Sequence, residues 1–236
     1  MPEMKKKIML AALLLVFTAP LLLSQNKAFQ FGFKVGPNIG WIKPDAEGYE
    51  RLGVDAGFAW GFVAEVFLLE NYAMNTGFDV VYLNGSFSYP HQKLVPASAG
   101  GNIKGVLNRS FRTKYIQLPI LLKMKTNDFG KFRYYGQVGF GLAFLADAKS
   151  DDRFYSQGLL IEEKTFEIEK QLRLTRESLI LGAGVEYSLG GSTFLTAGIK
   201  FDNNFIDVLK DQNTIDPMIE HKAITNFLEL QIGLLF

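Results

Sequence analysis

The chain has 236 residues, 25 Lys and Arg against 24 Asp and Glu, and no cysteine. A net charge of +1 offers no polycationic surface for nucleic acid, and the missing thiols exclude disulfides, thiol catalysis and cysteine-bound metal. Phe (21) and Gly (23) are abundant; this balance suits aromatics that face lipid and small residues that line a crowded inner face.

The first segment reads as an export signal. Lys5, Lys6 and Lys7 precede an apolar run from Ile8 to Leu23, interrupted by Thr18 and Pro20, and Ser24 closes it. The run is short for a membrane span, which needs about 20 residues. Residues 1–24 are therefore expected to be a cleaved signal peptide, and 25–236 one barrel domain. An uncleaved anchor is the alternative, and Met4 an alternative start.

From there the dominant period is two, the mark of strands with distinct faces. Phe29, Phe31, Phe33, Val35, Ile39 and Trp41 oppose Gln30, Gly32, Lys34, Gly36, Asn38 and Gly40. Phe58, Trp60, Phe62, Ala64, Val66 and Leu68 oppose Gly57, Ala59, Gly61, Val63, Glu65 and Phe67. Tyr72, Met74, Phe78, Val80 and Tyr82 oppose Asn75, Gly77 and Asp79. Ile116, Leu118, Ile120, Leu122 and Met124 oppose Gln117, Pro119 and Lys123. Phe132 to Phe144, Leu179 to Leu189, Leu195 to Phe201 and Leu228 to Phe236 repeat the rule. The pattern predicts eight strands of about the 9–11 residues a tilted membrane strand requires, or longer.

Connections alternate in length. Glu70-Asn71, Thr126–Gly130 and Gly190-Gly191 are short turns. Ile42–Leu52, Gly85–Arg112, Asp147–Leu172 and Asn204–Lys222 are expected to be long loops facing outside the cell. The predicted fold is all-β, an eight-stranded antiparallel up-and-down transmembrane β-barrel. In lipid every backbone group must pair internally, which only a closed sheet achieves. A soluble barrel of lipocalin type also alternates, with its apolar face inward. Three features favour lipid: Gly and Ala crowd the face opposite the aromatics, that face carries charges of both signs, and Trp41, Tyr72, Tyr82, Tyr134 and Tyr187 sit near strand ends as an interfacial girdle.

Lys34, Glu65, Asp79, Lys123, Arg133, Glu186, Lys200 and Glu229 are expected to form a charge network across the lumen. A side-chain plug is favoured over a pore, because eight strands enclose an interior just wide enough to be filled. Gln231, Gly233 and Phe236 give the last strand a polar-x-Gly-x-x-apolar ending that resembles the signal read by the barrel-assembly machinery, with Leu234 where an aromatic is usual. Partners are then outer-membrane lipid and that machinery.

Lys114-Tyr115-Ile116-Gln117-Leu118-Pro119-Ile120-Leu121-Leu122-Lys123 resembles the proline-containing strand of PorT-like outer-membrane β-barrel proteins. Phe31 to Asn38 is similar to that family's opening strand, and Tyr135 to Gly141 to its fifth. The resemblance implies the cell outer membrane of a Gram-negative organism; one branch of the family takes part in type IX secretion, which would add secretion-machine proteins as partners. Independently of that likeness, Pro119 cannot donate to a ladder, so it predicts a bulge or a locally unpaired site.

No catalytic set, metal site or cofactor is expected. The histidines, His91 and His221, lie in predicted loops near Ser86, Ser88, Asp211 and Asp216, which leaves a lipid-modifying enzyme as the alternative. Glu162, Glu163, Glu167 and Glu169 lack the spacing of a calcium loop and read as a strand extending beyond the membrane.

Overall fold

The computed structural model describes residues 29–93, 101–210, 213, 215, 218 and 221–236. The expected signal segment, Asp211 and Asp216 lie outside the described residues. The strands are β1 (Phe29–Pro44), β2 (Glu50–Arg51), β3 (Asp55–Leu69), β4 (Tyr72–Lys93), β5 (Ile103–Lys125), β6 (Phe132–Ser156), β7 (Leu159–Glu167), β8 (Thr175–Gly190), β9 (Thr193–Asn204) and β10 (Ala223–Leu235).

Eight of them close a cylinder. The pairing runs β4-β3-β1-β10-β9-β8-β6-β5, and β5 returns to β4. All pairs are antiparallel. The last residue is tied to the first strand, with the Phe236 amide donating to the Phe31 carbonyl at 2.7 Å. Period-two alternation sets the faces: Phe33, Ile120, Phe140 and Ile232 stand outward and exposed, while Glu65, Asp79, Lys200 and Glu229 point inward and are buried.

Pro119 leaves one side of its strand unpaired without shifting register. Pairing with β6 continues through Pro119 opposite Gly141. Pairing with β4 lapses between Asn75–Leu121 and Asp79–Gln117 and resumes in the same register. Gly77 lies in that gap with φ at 137°, and the Phe62 carbonyl oxygen occupies the space a Cβ would need. Gly77→Ala is therefore expected to lower unfolding stability by about 1–3 kcal/mol, whereas Gly136→Ala, where a Cβ meets open space, should stay within about 0.5 kcal/mol. Urea unfolding in detergent compares the two.

Two predicted loops are largely strand. β4, β5 and β6 contain 22, 23 and 25 residues, about twice what a membrane crossing needs. Their far halves, with β7 paired to β6, continue the wall as a collar over most of Gly85–Arg112 and Asp147–Leu172. The physical reason is an exchange of faces. On β5 the outward residues Met124, Leu122, Ile120, Leu118 and Ile116 are apolar, and the next ones are Lys114, Arg112, Ser110 and Asn108. The inward residues change the opposite way in part: Lys125, Lys123 and Gln117, with Leu121 among them, give way to Tyr115, Phe111 and Leu107, with Thr113 and Arg109 among them. A register shift at Lys114/Tyr115 inserts one residue into β6 between Leu145 and Asp147. That bulge moves the buried set of β6 from odd positions to Ala148, Ser150, Asp152 and Phe154. The collar thus encloses its own apolar core, which includes Phe87, Tyr89, Leu107, Phe111, Phe154 and Ile168.

Candidate functional site

The lumen is a stack of ion pairs capped at both ends by apolar side chains. At the short-turn end Val63, Phe194 and Leu235 cluster. Next comes a four-membered group. Lys123 Nζ lies 2.5 Å from Glu65 and 2.6 Å from Glu186, and Lys125 Nζ lies 2.5 Å and 2.9 Å from the same two residues. Tyr135 places its ring 4.0 Å from the Lys123 ammonium. Arg133 stands at the rim: it binds Asp128 of the adjoining turn at 2.8 Å and reaches Glu186 only at 3.9 Å.

Midway, Asp79 accepts from Lys34 at 2.8 Å and Lys200 at 3.4 Å, and Lys200 also meets Glu229 at 2.7 Å. Nearer the collar, Arg176 pairs with Asp202 at 2.6 Å and donates to the Thr225 hydroxyl and carbonyl. Gln117 gives Asp202 a further bond of 2.7 Å. Phe227 packs its ring against both Arg176 and Lys200. It belongs to an apolar layer with Ala59, Val81, Leu83, Tyr115 and Ala143. The pairs exist because buried charges need partners, and glycines such as Gly61 and Gly182 vacate the space that Asp79 and Gln137 fill.

The structure brings together Lys34, Asp79, Lys200 and Glu229, and separately Glu65, Lys123 and Glu186. Sequence reading missed Lys125 and Arg176. Lys125 follows Lys123 by two residues, so the strand period places it on the same face; Arg176 lies before the predicted start of its strand but shares the parity of Glu186. At the last strand, Gln231 is buried and donates to Glu229 at 2.9 Å, Gly233 sits against Lys34, and the Phe236 ring lies 5.9 Å from that of Phe31.

Above the apolar layer the collar holds a second polar feature. A cavity of about 200 Å³ is lined by His91, Lys93, Leu107, Arg109, Asp152, Phe154, Glu162, Lys164, Phe166 and Gln171. Arg109 grips Asp152 with two bonds, Nε at 2.8 Å and Nη2 at 2.5 Å, and donates to Gln171 at 2.9 Å. Lys93 meets Glu162 at 2.6 Å. That ion pair and its hydrogen bond hold the Glu162 carboxyl below its ordinary range. Both histidines lie in this region: His91 is edge-on to Phe154, and His221 lies 2.8 Å from the Tyr49 hydroxyl through Nδ1. Ser86 donates to Asp55 at 3.0 Å, and alternation sets Ser86 and Ser88 on the opposite face of β4 from His91. Glu162 and Glu163 pair with different cations, Lys93 and Arg153. No cluster with metal-binding geometry occurs among the described residues.

Burial pushes the His91 imidazole below its usual range, the Arg109 charge adds to this, and Asp152 opposes it. The folded collar therefore holds a neutral ring where an unfolded one takes a proton near pH 6.5. Collar stability is expected to be full above that pH and to fall as pH drops through it. Hydrogen exchange of the Leu107–Phe111 amides at pH 7.5 and 5.5, corrected for intrinsic rates, should show the loss, and His91→Gln should flatten it.

The family model for the outer membrane protein beta-barrel domain matches residues 23–210. No match to a curated protein sequence is found. Among solved structures, Ail, the attachment invasion locus protein of Yersinia pestis, is 15% identical with a TM-score of 0.39, covering 88% of this chain and 98% of that one. OprG from Pseudomonas aeruginosa is 13% identical with a TM-score of 0.42, covering 88% and 94%. The outer membrane protease OmpT from Escherichia coli is 8% identical with a TM-score of 0.37, covering 88% and 96%. With a closed eight-stranded barrel and a family match over most of the chain, this protein belongs to the outer membrane protein β-barrel domain family and resides in the outer membrane.

Proposed function

We propose that this protein is a non-enzymatic barrel whose collar, facing outside the cell, docks another envelope component. The observation that carries the reading is the collar itself: three strands prolonged beyond the membrane and packed on their own apolar core. Such a wall presents a fixed surface at little entropic cost to binding. Its β6–β7 hairpin ends in Leu159, Leu160 and Ile161, all exposed. The resemblance of Lys114–Lys123 to PorT-like proteins favours a secretion-associated partner of type IX kind. Export through a cleaved segment at 1–24, and recognition of Gln231, Gly233 and Phe236 by the assembly machinery, complete the proposal. The filled lumen argues against a pore.

A photo-crosslinking side chain placed at Leu159 in intact cells tests this. The expected result is a discrete adduct with another envelope protein, with none from the same probe at the membrane-facing Ile120. Adducts at neither position, or equally at both, would overturn docking through the collar.

A further inference from the structure

We propose that the collar cavity binds an acidic monosaccharide unit. The site is independent of whether the collar also docks a protein. Its volume of about 200 Å³ lies below the roughly 300–1,000 Å³ of pockets for drug-sized ligands, so it admits one ring-sized group. Its charges are Lys93, Arg109 and Lys164 against Asp152 and Glu162. Lys93 and Glu162 neutralise each other, as do Arg109 and Asp152. Lys164 remains, with its ammonium 5.1 Å from the Phe166 ring. The lining thus carries one positive charge in excess, shared through Lys164 with Glu162; that excess suits one carboxylate, and falls short of what a bare polyanion requires.

The rest of the lining matches the remainder of a sugar. Phe166 is exposed on the wall, giving aromatic surface for the C–H face of a pyranose ring, and the buried Phe154 adds an apolar patch to the lining. The carboxylates, the Gln171 amide and His91 supply acceptors and donors for hydroxyls. Their geometry is preset, since Arg109 is fixed by three bonds to Asp152 and Gln171. An acyl chain would take the water from these charged and polar groups and give them nothing in return, which is costly.

The test uses full-length protein refolded in detergent, titrated with galacturonate, galactose and acetate. Galacturonate should bind with a Kd of about 1 mM or tighter, and galactose and acetate at least tenfold more weakly. Lys164→Met should remove the preference for galacturonate over galactose, and Phe166→Ala should weaken both sugars. Both side chains are exposed, and heat-modifiable migration on gels confirms folding of each variant. Glu163→Gln, on the other face of β7, should leave binding unchanged. Absence of galacturonate binding, equal binding of acetate, or an unaltered preference in Lys164→Met would overturn the proposal. Displacement of galacturonate by lipopolysaccharide vesicles or by soluble polygalacturonate then identifies a lipid-linked or a soluble source.

Discussion

Phe140→Arg is expected to abolish accumulation of folded protein in the outer membrane. Phe140 stands outward on β6 between Ile120 of β5 and Leu179 of β8, and is 63% exposed. In a membrane barrel that exposure is contact with hydrocarbon, where an arginine at mid-depth costs about 2–4 kcal/mol. The loss falls on the inserted state while the unfolded chain in the periplasm is unaffected. Val106→Arg is the internal control. Val106 is also apolar, outward and exposed, but it lies in the collar, on the face that has turned polar. It should be tolerated. Heat-modifiable migration of outer-membrane fractions reads both variants. Wild-type levels of folded Phe140→Arg would mean that the aromatic face does not meet lipid.

Arg176→Met should cost about 3–5 kcal/mol, because it leaves Asp202 buried without its ion-pair partner. The pair is almost wholly enclosed, with side-chain exposures of 2% and 0%; what remains to Asp202 is the uncharged Gln117 amide and the Lys200 charge, which is already bound to Glu229 and Asp79. Replacing both partners, Arg176→Met with Asp202→Leu, should recover more than half of that loss, since apolar groups can substitute for a buried pair. Urea unfolding followed by the fluorescence of Trp41 and Trp60 measures all three proteins. A double variant less stable than Arg176→Met alone would show that the pair does more than satisfy its own charges.

The membrane half of the barrel was legible because its code is simple: apolar outward, polar or small inward, every second residue. Phe29 to Trp41 state it throughout, and Ile116 to Met124 break it only at the inward Leu121. The collar was harder to read because there the code is inverted. Ser86, Ser88, Pro90 and His91 suggest a loop when apolar residues are expected outward, yet Phe87 and Tyr89 keep the period on the inner face. The β6 bulge hides the continuation further, by moving the buried set to even positions just where Asp147 and Lys149 look like loop residues. The ion pairs were half visible. Parity tells which charges point inward, but which carboxylate meets which ammonium depends on the stagger of strands far apart in sequence. Lys123 meets Glu186 across 63 positions and Lys200 meets Asp79 across 121. The collar cavity has no sequence signature at all, since its lining comes from four strands and one turn.

The exchange of faces along β5 is the feature on which the barrel, the plug and the collar all depend. The chain has no cysteine, so single spin labels can be placed along residues 104–124 without background. In lipid vesicles, accessibility to oxygen against a water-soluble nickel reagent reports the surroundings of each label. Labels at Ile116, Leu118, Ile120, Leu122 and Met124 are expected to favour oxygen. Those at Lys104, Val106, Asn108 and Arg112 should favour nickel, and those at Tyr115, Gln117 and Leu121 should be protected from both. Oxygen-favouring labels along the whole even series, or nickel reaching Gln117 and Leu121, would contradict the exchange of faces.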